Sequence, residues 1–88
     1  MKFIFSQHAE EQLMRRGINR SLVVAVVENP DEVIEDDEQD VVIYQSIIKE
    51  SGQSFLLRVF VNKNKQPIVI VTLYKTTKIS KYYESEIR

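Results

Sequence analysis

The chain has 88 residues, of which 43% are hydrophobic and 28% charged, enough for one domain whose thin core covers roughly 60–65% of the surface an unfolded chain of this size exposes. It contains no cysteine, which excludes disulfides and thiolate metal sites and agrees with a reducing compartment. No run approaches the roughly 20 apolar residues of a membrane span, and Phe3-Ile4-Phe5 is too short for a signal-peptide core, so a cytoplasmic protein without membrane contact is expected.

The net charge of −1 conceals a strong asymmetry. Residues 1–27 hold four bases against two acids (+2), residues 28–40 hold eight acids and no base (−8), and residues 41–88 hold eight bases against three acids (+5). Outside the acidic segment the domain is +7, the footprint of a surface that meets phosphate or an acidic partner, or else of ordinary solvated charge.

Phe3-Ile4-Phe5 reads as a short extended lead into a first helix that starts at Ser6, a natural N-cap. Glu10 and Glu11 near its start, and Arg15 and Arg16 near its end, suit the helix dipole, and Gly17 suits the left-handed residue that closes a helix. Helical periodicity puts Ala9 and Leu13 on the buried stripe, and His8, Gln12 and Arg15 on one polar flank. Arg16 points toward the buried side, where it requires an acceptor such as Glu11 or Asp31, or must reach out to water. Asn19 caps a second helix from Arg20 to Glu28. Its valines favour a strand by propensity, but Leu22, Val23, Val26 and Val27 share a helical face and Asn29-Pro30 supplies a stop.

Four strands are expected next: Glu32 to Asp36, Val41 to Lys49 after a charged turn at Asp37 to Asp40, Phe55 to Asn62 after Ser51-Gly52-Gln53, and Ile68 to Lys75 after Pro67. Short connections predict an antiparallel meander. In the third strand Phe55, Leu57, Val59 and Val61 alternate with Leu56, Arg58 and Phe60; in the fourth Ile68, Ile70, Thr72 and Tyr74 alternate with Val69, Val71, Leu73 and Lys75. Both faces are therefore apolar. Two helices cover one, leaving the other to the tail, a twofold mate or a partner protein. In residues 78–88, Ile79, Tyr82, Tyr83 and Ile87 have the spacing of a short terminal helix that docks on its own sheet or on a partner. The fold class is a single α+β domain over residues 1–88, with two N-terminal helices, a four-stranded antiparallel sheet and a short C-terminal helix.

The sequence has no phosphate-binding glycine loop and no nucleophile elbow, and one histidine cannot build a zinc or iron site, so no metal or other cofactor is expected. Its paired carboxylates cluster in one segment that reads as a solvated loop. The remaining candidates are His8, Arg15, Arg16, Arg58, Lys75, Tyr74, Tyr82 and Tyr83. Such a set fits metal-independent RNA cleavage: histidine shuttles a proton near neutral pH, arginine holds phosphate and the charge developing on it, and tyrosine stacks bases. The bland alternatives are a capping role for His8, an ion pair for Arg16 and an interface salt bridge for Arg58.

The run Ser6-x-His8-Ala9-x-x-Gln12-x-x-x-Arg16-Gly17-Ile18, an apolar helix ending at Asn29-Pro30, and Val71-Thr72-Leu73-Tyr74 near the end of the last strand resemble a widespread bacterial family of domains of unknown function. That family's pattern runs from Ser/Thr-x-His-Ala through Arg-Gly-Ile to Val/Ile-Thr-x-Tyr, and the likeness spans about residues 3–76. The resemblance implies the RelE-like and barnase-like ribonuclease fold, whose members include toxins of type II toxin–antitoxin pairs. It carries the motif positions onto His8, Arg16, Thr72 and Tyr74.

The leading expectation is thus a toxin that cleaves RNA without metal, with His8, Arg16, Arg58 and Tyr74 at the catalytic site and Gln12, Arg15, Lys75 and Tyr82 contacting RNA. Its expected partners are a cognate antitoxin and RNA or the ribosome. The rival is a non-catalytic protein-interaction module of the same fold that binds a partner protein through the second sheet face and the tail; a homodimer through the second sheet face is a further partner expectation.

Overall fold

Ser6 opens the first helix in two ways. Its hydroxyl accepts the Ala9 amide at 3.0 Å, capping the helix, and donates to the Val71 carbonyl at 2.7 Å, tying the cap to the last strand. The molecule is seen in a computed structural model that describes residues 3–35 and 40–83. Helix α1 spans Gln7–Arg16 and ends at Gly17, whose φ of 60° is the left-handed turn the sequence demanded. Asn19 caps α2, Arg20–Glu28, by accepting the Ser21 amide at 2.9 Å. The valine-rich segment is helical because Val23, Val26 and Val27 bury one face together, which outweighs their propensity. Replacing Ser6 with alanine removes both the cap and the tie to Val71, and should lower stability by about 1–2 kcal/mol, read from the urea midpoint.

Five strands form the sheet rather than four: β1 Phe3–Phe5, β2 Glu32–Glu35, β3 Val41–Glu50, β4 Gln53–Asn62 and β5 Ile68–Thr76, in the order β1-β5-β4-β3-β2. The expected antiparallel meander exists as β2 to β5, but the lead-in segment joins it as a parallel edge strand, pairing Phe3 with Ile68 and Phe5 with Ile70. The sheet is therefore mixed. The α1–α2 pair carries the chain from β1 over one face of the sheet to β2 at the opposite edge, and the meander then brings β5 back beside β1.

Ser51 and Gly52 both have positive φ and close the β3–β4 hairpin in the primed turn that matches strand twist. Gln53, expected in this turn, belongs to β4. Apart from Asp40, the expected charged turn lies outside the described residues, as does the end of the tail, including Ile87.

The side-chain alternation of β4 is as expected, while that of β5 is not. A bulge lies where the β4–β5 register shifts: Phe60 pairs with Thr72, but Val61 pairs with Ile70. The extra residue, Val71, reverses the phase, so that Ile70 and Leu73 share the helix side of the sheet. The main core lies there, between Ala9, Leu13, Ile18, Val23, Val26 and Val27 of the helical layer and Leu57, Val59, Val61, Ile70 and Leu73 of the sheet.

Two expectations about α1 exchange places. Gln12 is buried, whereas the Arg16 side chain is exposed and its Nε donates to Gln12 Oε1 at 2.7 Å. Arg16 stands on the last turn, where its long stem carries the guanidinium past the helix end to water. The acceptor is thus an amide of its own helix, neither Glu11 nor Asp31. Elsewhere on the helical layer, Arg20 donates to Glu10 at 2.6 Å and covers the Phe5 ring at 4.5 Å. That hydrogen bond holds the Glu10 carboxyl below its usual range and raises Arg20. Because the folded state favours the ionised carboxylate, the contribution is present at neutral pH and is lost as pH falls through the lowered Glu10 value. Both side chains are solvent-exposed, which keeps it small.

Helix α3, Ile79–Tyr82, follows β5. Tyr82 reaches across to residues on the sheet face opposite α1 and α2.

Candidate functional site

One polar rung crosses the sheet. Glu32 of β2, Gln45 of β3, Arg58 of β4 and Tyr74 of β5 are register partners in turn, so their side chains stand in a row on one face. That face is opposite to Leu57 and Val59, and hence free of α1 and α2. Arg58 Nε donates to Gln45 Oε1 at 2.9 Å, and Gln45 Nε2 donates to Glu32 Oε1 at 2.6 Å. The amide has only one workable orientation: a guanidinium can only donate and a carboxylate only accept, so its oxygen must face Arg58. At the other end Arg58 Nη1 donates to the Tyr74 hydroxyl at 2.7 Å.

Aromatic rings complete the setting. The Arg58 guanidinium lies 4.5 Å from the centre of the Tyr82 ring, 5.5 Å from Phe60 and 5.7 Å from Tyr74. Phe60 and Tyr74 stack at 5.9 Å, and Tyr82 meets Tyr74 edge-on at 6.4 Å. Gln45 Nε2 also donates to the Tyr82 carbonyl at 3.1 Å, fastening α3 to the row. Arg58 is left 8% exposed.

A buried cation normally takes a carboxylate partner. Arg58 makes no ion pair among the described residues and relies on an amide, a phenol and ring faces instead. Its Nη2 has no hydrogen-bond partner among the described residues, yet no buried side-chain nitrogen there is unsatisfied, so Nη2 keeps contact with solvent. The Tyr74 oxygen accepts from Arg58, which leaves the phenolic proton available to a third group. Chemically the row offers an anion a fixed cation with one free edge, next to a hydroxyl donor.

The residues singled out from sequence do not all meet here. Arg58, Tyr74 and Tyr82 come together. His8, Gln12, Arg15 and Arg16 belong to α1, which packs on the other face of the sheet, and His8, Arg15 and Arg16 are exposed there. The four-residue grouping of His8, Arg16, Arg58 and Tyr74 is therefore divided by the thickness of the sheet. Lys75 also points to the helix side, as the partner of Leu57, with Nζ 5.2 Å from the centre of the Phe55 ring. Thr72, paired with Phe60, shares the face of the row without joining its hydrogen bonds.

Sequence reasoning missed Gln45 and Glu32. The signal for Gln45 was a lone amide in the apolar run Val41-Val42-Ile43-Tyr44-Gln45 of a firm strand, fully buried in the fold. The acidic segment also supplies structure: Asp31 donates its amide to Ser46 Oγ and accepts the Ile47 amide, both at 3.0 Å, which sets the start of β2 against β3. No group of three or more His, Cys, Asp or Glu side chains suited to a metal ion occurs among the described residues, and no helix there is long and apolar enough to cross a membrane.

A family model described as a domain of unknown function (DUF4258) matches residues 5–75. No curated protein and no solved structure matches the chain.

Proposed function

The chain belongs to the DUF4258 family, and on that footing we propose that it is a toxin-type ribonuclease of RelE-like architecture, cleaving RNA without a metal on the helix-free face of its sheet. The observation that carries this reading is the Arg58–Tyr74 pair, 2.7 Å apart and backed by Gln45. Once the Tyr82 ring swings aside, Arg58 takes a phosphate oxygen through Nη2, its nitrogen without a hydrogen-bond partner among the described residues, and stabilises the charge that builds there when a 2′-hydroxyl attacks. The 2′-hydroxyl gives its proton to water as its oxygen bonds to phosphorus, and the P–O5′ bond breaks to leave a 2′,3′-cyclic phosphate. Tyr74 gives its proton to the departing 5′-oxygen and regains one from water. His8 has no part in this chemistry, because it lies across the sheet. A cognate antitoxin is the partner such a toxin requires, and cytoplasmic RNA is its substrate.

The test is incubation of the full chain with structured and unstructured RNA in EDTA, with the cut ends mapped. Cleavage is expected, about 100-fold slower in Tyr74→Phe and unchanged in His8→Ala. Intact RNA in the presence of folded protein sinks the ribonuclease reading.

A second reading, a non-catalytic interaction module, is favoured by the low exposure of Arg58 and by the Tyr82 ring above it. On this reading the row is a rigid seat for α3, and partner binding is lost on removal of residues 78–88. A truncated chain that binds normally excludes it.

A further inference from the structure

The helical layer does not reach the whole of its face. At the end formed by the β3–β4 hairpin and the last residues of β5, a cavity of about 410 Å³ opens, with Phe55 in its wall and Glu50 and Lys75 beside it. A smaller space of about 80 Å³ connects Glu50, Phe55 and Lys75 to the α1–α2 turn at Gly17 to Leu22. Thr77 adds a hydroxyl to the lining of the larger cavity, while Ser54 and Thr76, which alternate with Phe55 and Lys75 along their strands, border it from the other face of the sheet. Glu50, Phe55 and Lys75 stand on the helix side, apart from the Arg58 row, which opens on the other face.

Two opposite charges line this space without neutralising each other. Neither Lys75 nor Glu50 makes an ion pair or a side-chain hydrogen bond among the described residues, and the Lys75 ammonium rests over the Phe55 ring instead. A ring face is a weaker partner for a cation than an anion is, so an arriving anion can draw Lys75 away from it. The Thr77 hydroxyl in the same lining is a donor suited to the same anion, and the Glu50 carboxylate can only accept. The complementary ligand has an anionic group at one end, N–H donors at the other and a flat body between them to lie against Phe55.

We infer that this cavity binds a nucleoside monophosphate carrying guanine. Lys75 with Thr77 holds the phosphate, Phe55 packs on the nucleoside, and Glu50 accepts from the guanine ring N–H and its exocyclic amine together. Adenine presents an acceptor where guanine presents the ring N–H, so Glu50 disfavours it. The site does not depend on the ribonuclease reading and stands or falls separately from it.

Titration of the full chain with GMP, AMP and inorganic phosphate, followed by calorimetry and amide NMR, decides the matter. GMP should bind saturably and more tightly than AMP or phosphate, with shifts centred on the amides of Glu50 to Phe55 and of Thr76 and Thr77. Lys75→Met should weaken GMP about tenfold, and Glu50→Gln should abolish the preference for GMP over AMP. Both substitutions are at exposed positions, and unaltered melting curves will confirm that the fold is retained. The inference is overturned if GMP fails to saturate, if phosphate binds as tightly as GMP, or if Lys75→Met binds GMP as the wild type does.

Discussion

Arg58→Ala should be among the most damaging single substitutions in the domain, lowering stability by about 3–5 kcal/mol. The side chain is 8% exposed, makes two hydrogen bonds and is enclosed by three aromatic rings. Truncation leaves the Gln45 carbonyl oxygen without its donor inside a row where Gln45 is fully buried, a loss of about 1–3 kcal/mol for an orphaned polar group. It also opens a space under Tyr82 and cancels the cation–π contacts, worth about 0.5–2 kcal/mol together at a desolvated site. Against a total stability of about 5–10 kcal/mol for a domain of this size, the urea midpoint should fall by a third or more. Arg58→Lys keeps the charge but cannot serve Gln45 and Tyr74 with a planar fork, so its midpoint should lie between the two. An Arg58→Ala midpoint equal to that of the wild type would show that the row carries no structural weight. Loss of RNA cleavage in Arg58→Ala alone therefore proves little about catalysis. Tyr74→Phe, which keeps the ring and removes one hydroxyl, separates chemistry from folding.

The elements that local chemistry determines were legible in the sequence. Ser6, Gly17 and Asn19 mark helix ends because caps are contacts within a few residues, and the phase of β4 follows from strict alternation. What could not be read depends on distant contacts. Phe3 to Phe5 pair with residues 65 positions away, and no local pattern distinguishes a parallel edge strand from an extended arm. The bulge at Val71 is likewise a property of two strands rather than one. The exchange of Gln12 and Arg16 follows from where the end of α1 sits over the sheet, which a helical wheel does not contain.

The division of the candidate site is a different case, because its premises were in the sequence. Arg58 alternates with Leu57 and Val59, and two helices must cover the more apolar face. A histidine on one of those helices and an arginine on the far face of the sheet could then meet only around a sheet edge. The motif spacing grouped His8 with Tyr74, whereas the strand phase had already separated them. Fold patterning and site patterning are distinct constraints: Ser6 tying α1 to the Val71 carbonyl explains one end of the motif without any catalysis.

Tyr82→Ala should change stability and RNA binding in opposite directions. Helix α3 has four residues, no side-chain cap and no buried residue of its own, and so short a helix has little intrinsic stability. Its place is set by the Tyr82 ring over Arg58, the Tyr82 carbonyl on Gln45 and the buried Tyr83 that follows. Alanine keeps the carbonyl and removes the ring, so stability should fall by about 1 kcal/mol. The same ring covers the cation that the proposed reading assigns to phosphate, and a ligand of Arg58 must first displace it. An apparent affinity is reduced by the fraction of molecules that are closed, so removal of a roof worth about 1 kcal/mol should strengthen RNA binding about fivefold. Fluorescence anisotropy with a short single-stranded RNA measures this against the urea midpoint of the same sample. If binding weakens instead, Tyr82 is a platform on which a base stacks, and α3 belongs to the RNA site as one of its walls. The sign of this one change distinguishes a segment that guards Arg58 from one that works beside it.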